Sequence, residues 1–217
     1  MTINPVGVQL STAQREALAE AVGIAFGRAA AGLSDLTGQR VLLQPPELAI
    51  CPMPRLHEFV GRFLHGDVAT VHQIFRGVIA GDALLLLDQE SALVLVDLLL
   101  GGETGTGRLD GSAREVLNEV GNIVLNACLG TFGNLLQVHV TFSVPRVELD
   151  TLREILESLV IGTDELRYAL VVGTLFRVRD TSVSGYLMIV LGVASLDVFL
   201  QAVERWGREQ ENGTPES

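Results

Sequence analysis

Three polar residues stand at helical spacing in the second half of the chain. Glu115, Glu119 and Asn122 occupy positions i, i+4 and i+7 of one segment, so on a helix they form a continuous polar stripe. A carboxamide donates and accepts hydrogen bonds without titrating near neutral pH, so Asn122 could orient a water molecule as a glutamine does in GTPases. Glu119, one turn earlier, would supply a charge for anchoring a partner. The same residues also fit a solvated helix surface.

The flanking pattern predicts the elements that carry this stripe. Residues 112–131 have apolar side chains at helical spacing and polar ones on the opposite side, which is typical of an amphipathic helix. Residues 138–142 then alternate apolar and polar side chains, as a strand does, and Pro145 ends the segment. The stripe is therefore expected on a long helix followed by a strand.

The chain is internally repeated. A shift of 99 residues aligns positions 15–46 with 114–145 and gives eight identities in 32 positions, where composition alone would give about two or three. A second block aligns at a shift of 104 and pairs Gly81 with Gly185. In the first copy the stripe reads Glu16, Glu20 and Gly23, followed by Pro46.

Each copy predicts the same order of elements: long helix, strand, short helix, two strands and a closing helix. We expect long helices at 11–32 and 110–131, short helices at 54–64 and 151–160, and closing helices at 89–100 and 195–205. The strand pairs are expected at 68–78 with 83–87 and at 168–178 with 183–191. These elements predict one domain over 1–205, made of repeats 11–100 and 110–205, with a polar tail at 206–217. The glycine-rich segment 101–109 lacks the spacing of a phosphate-binding loop and is predicted to be a linker.

The segment Glu-Val-Leu-Asn-Glu-Val-Gly-Asn-Ile-Val at 115–124 resembles the signature of the CheC/CheX/FliY family of chemotaxis phosphatases. That signature is Asp or Ser, three residues, Glu, two residues, Asn, and then Pro after 22 residues. Glu119, Asn122 and Pro145 match it, whereas Glu115 replaces the Asp or Ser. The length and the duplication look most like CheC, because CheX is shorter and carries one motif.

The resemblance implies both a fold and an activity. The fold would be α+β, with two pseudo-symmetric repeats sharing a largely antiparallel sheet covered by helices. The activity would be hydrolysis of the aspartyl phosphate on a CheY-type response regulator, with Asn122 holding the water and Glu119 pairing with the receiver's lysine. Glu115 and Pro145 would have supporting roles. The Mg²⁺ would belong to the receiver, and the chain would need no cofactor or metal of its own.

The first copy of the motif lacks its carboxamide. Glu16, Glu20 and Pro46 keep the spacing of the motif, but Gly23 has no side chain to hold water. We therefore expect one competent site, in the second half. A non-catalytic adaptor is the alternative function. Such a protein would bind a receiver, the CheD deamidase or flagellar switch components, and docking alone would not require Asn122.

Composition limits the classes of partner that the protein can bind and predicts its cellular compartment. The 217 residues have a net charge of −11 and a mean hydropathy of +0.38, which disfavours nucleic acid and anionic membrane as partners and predicts a well-buried globule. Cys51 and Cys128 lie among apolar residues outside any metal-binding spacing, and the four histidines show no such spacing either. The N-terminus has no signal-peptide pattern, so we expect a cytoplasmic protein without a membrane-inserted segment.

Overall fold

The computed structural model describes residues 10–62, 64, 66–100, 109–135, 137, 139–160, 167–178 and 181–213. The predicted linker 101–109 lies outside these residues except for Leu109, which is buried. The helices are α1 Thr12–Thr37, α2 Met53–Val60, α3 Gln89–Leu99, α4 Gly111–Leu135, α5 Leu152–Val160 and α6 Val193–Gly213. The strands are β1 Val41–Pro52, β2 Asp67–Gly77, β3 Gly81–Asp88, β4 Val140–Phe142, β5 Arg146–Thr151, β6 Arg167–Val178 and β7 Thr181–Gly192.

The long helix α1 has clear local signals at both ends. Ser11 caps its N-terminus and forms a reciprocal capping box with Gln14, and Gly38 ends it in the left-handed conformation at φ 63°. The helix therefore runs past the predicted limit at residue 32, because the glycine that closes it stands six residues further on.

The described strands form one antiparallel sheet. Its order is β1-β6-β7-β3-β2-β4, and β5 also pairs with β2. The predicted α+β class with a shared antiparallel sheet is confirmed. The strand β5 lies beyond the predicted elements, because the proline that predicts the end of a strand here stands between two strand segments.

The first strand of each half pairs with the other half. β1 lies beside β6 of the second repeat, whereas β4 and β5 of the second repeat lie beside β2 of the first. β3 and β7 join the two halves at the centre of the sheet. Each repeat thus pairs its first strand with a strand of the other repeat, and the candidate site contains residues from both repeats.

Helices cover both faces of the sheet. The long helices α1 and α4, with α3 and α6, bury one face around residues such as Phe26, Leu85, Leu117 and Phe176. The short helices α2 and α5 bury the other face around Leu56, Leu84 and Leu156. Alternate residues of β3 enter the two cores, as the period of two in a strand requires.

Two features of the helices bear on the sequence predictions. The segment expected to be a polar tail, 206–217, is helical as far as Gly213, because Phe199, Val203 and Trp206 continue the buried stripe of α6. By length and composition, α1 is the one helix among the described residues that could cross a membrane. Its apolar residues, including Leu18, Val22 and Phe26, are buried against the sheet and the neighbouring helices, so packing within the fold accounts for its hydropathy.

A charged cluster on the α2/α5 face joins three strands to α5. Asp82 on β3 receives hydrogen bonds from His72 on β2, at 3.0 Å, and from Arg167 on β6. Arg167 also donates to the carbonyl oxygen of Leu159, in the last turn of α5, at 2.6 Å. Burial alone would raise the pKa of Asp82, but the hydrogen bonds and charges of His72 and Arg167 outweigh it and hold the pKa below its ordinary value of 3.8.

Asp82→Asn should lower the free energy of unfolding at pH 7 by about 2 kcal/mol, because Arg167 loses its charged partner. A depressed pKa stabilises the fold above the unfolded value, so this contribution is present above about pH 4 and is lost as the pH falls below 3.8. Urea denaturation from pH 7 to pH 3 measures it, with Asp97→Asn, an exposed position on α3, as the control. Equal stability of the two variants at pH 7 would contradict the prediction.

Candidate functional site

The predicted polar stripe lies along α4. Glu115 and Glu119 are exposed, and neither forms a hydrogen bond or ion pair with a described residue. Asn122, on the next turn, is half-buried, and Asn126 continues the stripe one turn further. Free carboxylates therefore stand beside a carboxamide that is partly shielded from water.

α4 approaches the sheet closely one residue before Asn122. A Cβ atom on Gly121 would lie 2.4 Å from Val71 Cγ1 of β2, far inside van der Waals contact. From Gly121 to Asn126 the helix rises about 7.5 Å, and from Val71 to Gln73 the strand rises about 6.6 Å. Gly121 and Asn126 point about 140° apart around the helix, so the close approach at Val71 does not itself place Asn126 on the strand. It keeps α4 close enough to β2 for the long side chain of Gln73, the next residue of β2 on the same face, to reach Asn126.

A β-bulge lies opposite Gln73. β2 pairs Phe75 with Phe142 and His72 with Arg146, so the three residues 143–145 face the two residues 73 and 74. Pro145 is buried in this bulge, where its missing N–H leaves no ladder bond unmade. Ser143 still exchanges bonds with Ile74: its N–H donates to the Ile74 carbonyl at 2.9 Å, and its Oγ accepts from the Ile74 N–H at 3.0 Å.

Gln73 connects the bulge to α4. Its side chain is 1% exposed, and Nε2 donates to the Ser143 carbonyl oxygen at 2.9 Å and to Asn126 Oδ1 at 3.0 Å. Asn126 Nδ2 then donates to Asn122 Oδ1 at 2.6 Å. Four residues thus form a chain from the bulge backbone to the carboxamide of Asn122.

Sequence reasoning gave Asn126 no role, and it missed Gln73. The spacing of α4 alone could have singled out Asn126, one turn after Asn122. No local pattern identifies Gln73, since it lies 53 residues from Asn126 on a strand of the other repeat.

The first copy of the motif lies on α1. Glu16, Glu20 and Gly23 are exposed there. Pro46 lies within β1 where the pairing register with β6 shifts, between Gln44 and Glu47, and its side chain is outside the described residues. A Cβ on Gly23 would meet nothing within 4 Å, so packing does not demand a glycine at that position.

Other reactive groups of the described chain lie away from the stripe or inside the core. Cys128 is fully buried on α4, and burial raises the pKa of its thiol. Burial also raises the pKa of Cys51, which is buried beside α2. Among the described residues no group of three or more His, Cys, Asp or Glu side chains is arranged to hold a metal ion. The stripe itself can bind a cation through Glu119 and hold a water molecule through Asn122.

Comparison with known proteins gives related sequences and folds. No protein-family model matches the chain. The flagellar motor switch phosphatase FliY of Bacillus subtilis is 29% identical over 144 residues, which are 64% of this chain and 36% of that protein. The chain therefore spans about a third of the length of this curated relative.

Two solved structures show the common fold. FliY of Thermotoga maritima superposes with a TM-score of 0.73 at 21% identity, covering 94% of this chain and 100% of that one. The FliM middle domain of H. pylori superposes with a TM-score of 0.62 at 13% identity, covering 89% of this chain and 99% of that one. The resemblance to the CheC/CheX/FliY family that the motif predicted is thereby confirmed in sequence and in fold. The placement nearest to CheC stays a prediction.

Proposed function

We propose that the chain hydrolyses the aspartyl phosphate of a CheY-type response regulator in cytoplasmic chemotaxis signalling. The observation that carries the proposal is the α4 stripe, where Asn122 is held from inside by Asn126. It stands one turn from Glu119, which is exposed and has no partner among the described residues. The sequence likeness to FliY, named as a phosphatase, supports it.

The proposed reaction needs positioning more than it needs a base. Phosphoryl transfer passes through a loose transition state, so a water molecule held in line with the breaking P–O bond is the main requirement. The oxygen of that water bonds to phosphorus, the receiver's aspartate leaves as a carboxylate, and the water's proton passes to solvent or to the departing phosphate. Asn122 would orient the water with its carboxamide. The Mg²⁺ that neutralises the phosphoryl charge would be the receiver's, which stays a prediction.

Glu119 would dock the receiver. Its carboxylate is exposed and has no described partner, so it is available to pair with a lysine on the phosphorylated receiver. The net charge of −11 favours approach of a basic surface. Glu115, exposed one turn earlier, would add to the same field, and CheD stays a further candidate partner.

The experiment that tests the function is release of inorganic phosphate from a phosphorylated CheY-type receiver with Mg²⁺ present. The protein should accelerate phosphate release above the rate at which the receiver dephosphorylates itself. If the protein accelerates phosphate release from none of the receivers of its source organism, the proposal is overturned.

Glu119→Gln should weaken binding of the phosphorylated receiver about 30-fold, which corresponds to about 2 kcal/mol for a shielded ion pair. The measurement is the Kd of a receiver carrying a stable phosphoryl mimic, with Glu157→Gln on the exposed surface of α5 as the matched control. Unchanged Kd for Glu119→Gln would remove Glu119 from the docking surface.

A non-catalytic adaptor is the second candidate. The fold shared with FliM supports it, since FliM of H. pylori has been solved in complex with FliG. Asn122 separates the two candidates, because an adaptor that only docks through Glu119 does not need a carboxamide at that position.

A further inference from the structure

The buried hydrogen-bond chain behind Asn122 has a defined direction. The Ser143 carbonyl oxygen can only accept, so the Gln73 group that faces it must be the NH₂ group. The second hydrogen of the same NH₂ points to Asn126, which must therefore present Oδ1 to Gln73 and Nδ2 to Asn122. Asn122 in turn presents Oδ1 inward, and its Nδ2 faces away from Asn126.

We infer that Gln73 and Asn126 are positioning residues that fix which side of the Asn122 carboxamide faces the receiver. The inference rests on the proposed function, since it gives that orientation a role in placing the attacking water. With Oδ1 held by Asn126, both Nδ2 hydrogens of Asn122 have no partner among the described residues, and one lone pair of Oδ1 remains.

The residues that form this hydrogen-bond chain do not fit a purely structural role. Gln73 Oε1 is buried without a hydrogen-bond partner among the described residues, which costs stability that an apolar side chain at this position of β2 would not cost. The carboxamides of Asn122 and Asn126 are also absent together from the first repeat, where Gly23 and Gly27 stand at the aligned positions. A Cβ added at either glycine would meet no described atom within 4 Å, so packing does not explain this paired loss.

The bulge at Pro145 orients the backbone acceptor at the end of this hydrogen-bond chain. The extra residue between β4 and β5 turns the Ser143 carbonyl toward the Gln73 side chain and away from a regular ladder partner. Pro145, 23 residues after Asn122 in the sequence, thereby acts on Asn122 through Ser143, Gln73 and Asn126.

The decisive variant is Asn126→Asp, which keeps the size of the side chain and its bond from Gln73. A carboxylate cannot donate to Asn122 Oδ1, so Asn122 must reverse and donate its own Nδ2 inward. Hydrolysis at saturating receiver should fall by about 10-fold or more, with KM changed by less than about twofold. Asn134→Asp adds the same charge at an exposed position of α4 and should keep the wild-type kcat.

Asn126→Ala is the control for misfolding, because it buries no charge. It leaves the Asn122 carboxamide free to adopt either orientation. Its kcat should lie between those of the wild type and Asn126→Asp. Wild-type kcat in both variants would overturn the inference, and so would equal losses in Asn126→Asp and Asn134→Asp.

A second measurement does not depend on activity. Hydrogen exchange of side-chain NH₂ groups, followed by NMR, should be slow for Gln73 and fast for Asn122 in the wild type, and should slow at Asn122 in Asn126→Asp. Equally fast exchange at Gln73 and Asn122 would overturn the chain of hydrogen bonds. If the wild type hydrolyses no receiver, the proposed function fails, while these exchange rates still decide whether Gln73 and Asn126 orient Asn122.

Discussion

Asn122→Ala should lower the rate of receiver dephosphorylation by about 100-fold at saturating receiver, while binding of the receiver changes little. The expected size follows from removing one positioned hydrogen-bonding group from a reaction that depends on orientation. Asn122 is half-buried and its Oδ1 is already held by Asn126, so its carboxamide is pre-oriented before the receiver arrives. Single-turnover phosphate release, with Kd measured separately, gives both quantities.

The control for this variant is Asn134→Ala, which removes an exposed carboxamide from the same helix. It should keep the wild-type rate. Hydrolysis that is unaffected by Asn122→Ala would end the proposed mechanism. Loss of receiver binding in the same variant would instead favour a docking role for Asn122 and hence the adaptor.

Gly121→Ala should destabilise the fold and also slow hydrolysis. The new Cβ would lie 2.4 Å from Val71 Cγ1 and 2.5 Å from Val71 Cβ, so α4 must move away from β2. Overpacking of this kind costs about 1–3 kcal/mol, which outweighs the gain of up to about 1 kcal/mol that alanine brings to a helix. The same movement would separate Asn126 from Gln73. The urea midpoint and kcat should therefore fall together.

Gly130→Ala on the same helix is the matched control, because its Cβ would meet nothing within 4 Å. It should raise the free energy of unfolding by up to about 1 kcal/mol through helix propensity and leave kcat unchanged. Equal stability of Gly121→Ala and Gly130→Ala would show that α4 does not need the close approach at Val71.

Much of the secondary structure could be predicted because its signals are local. The spacing of apolar residues identified α4 within a few residues of each end, and the same pattern one repeat earlier identified α1. Predicted limits were wrong where the signal lay further along the chain: Gly38 ends α1 late, and α6 continues past Trp206 into the segment expected to be a tail, as far as Gly213. β5 was missed because a proline inside a bulge resembles a proline at a strand end.

Sequence alone predicts the repeat, the order of helices and strands and the polar stripe of Glu115, Glu119 and Asn122, since each depends on residues close together in the chain or on a fixed shift between copies. The three-dimensional fold was needed to show that the first strand of each half pairs with the other half, because many apolar strands of similar length fit one another equally well by pattern. It also decided that Gly121 lets α4 approach β2, and that Gln73 of the first repeat thereby reaches Asn126 of the second. The orientation of Asn122 depends on that contact between distant segments, which no spacing along the chain encodes.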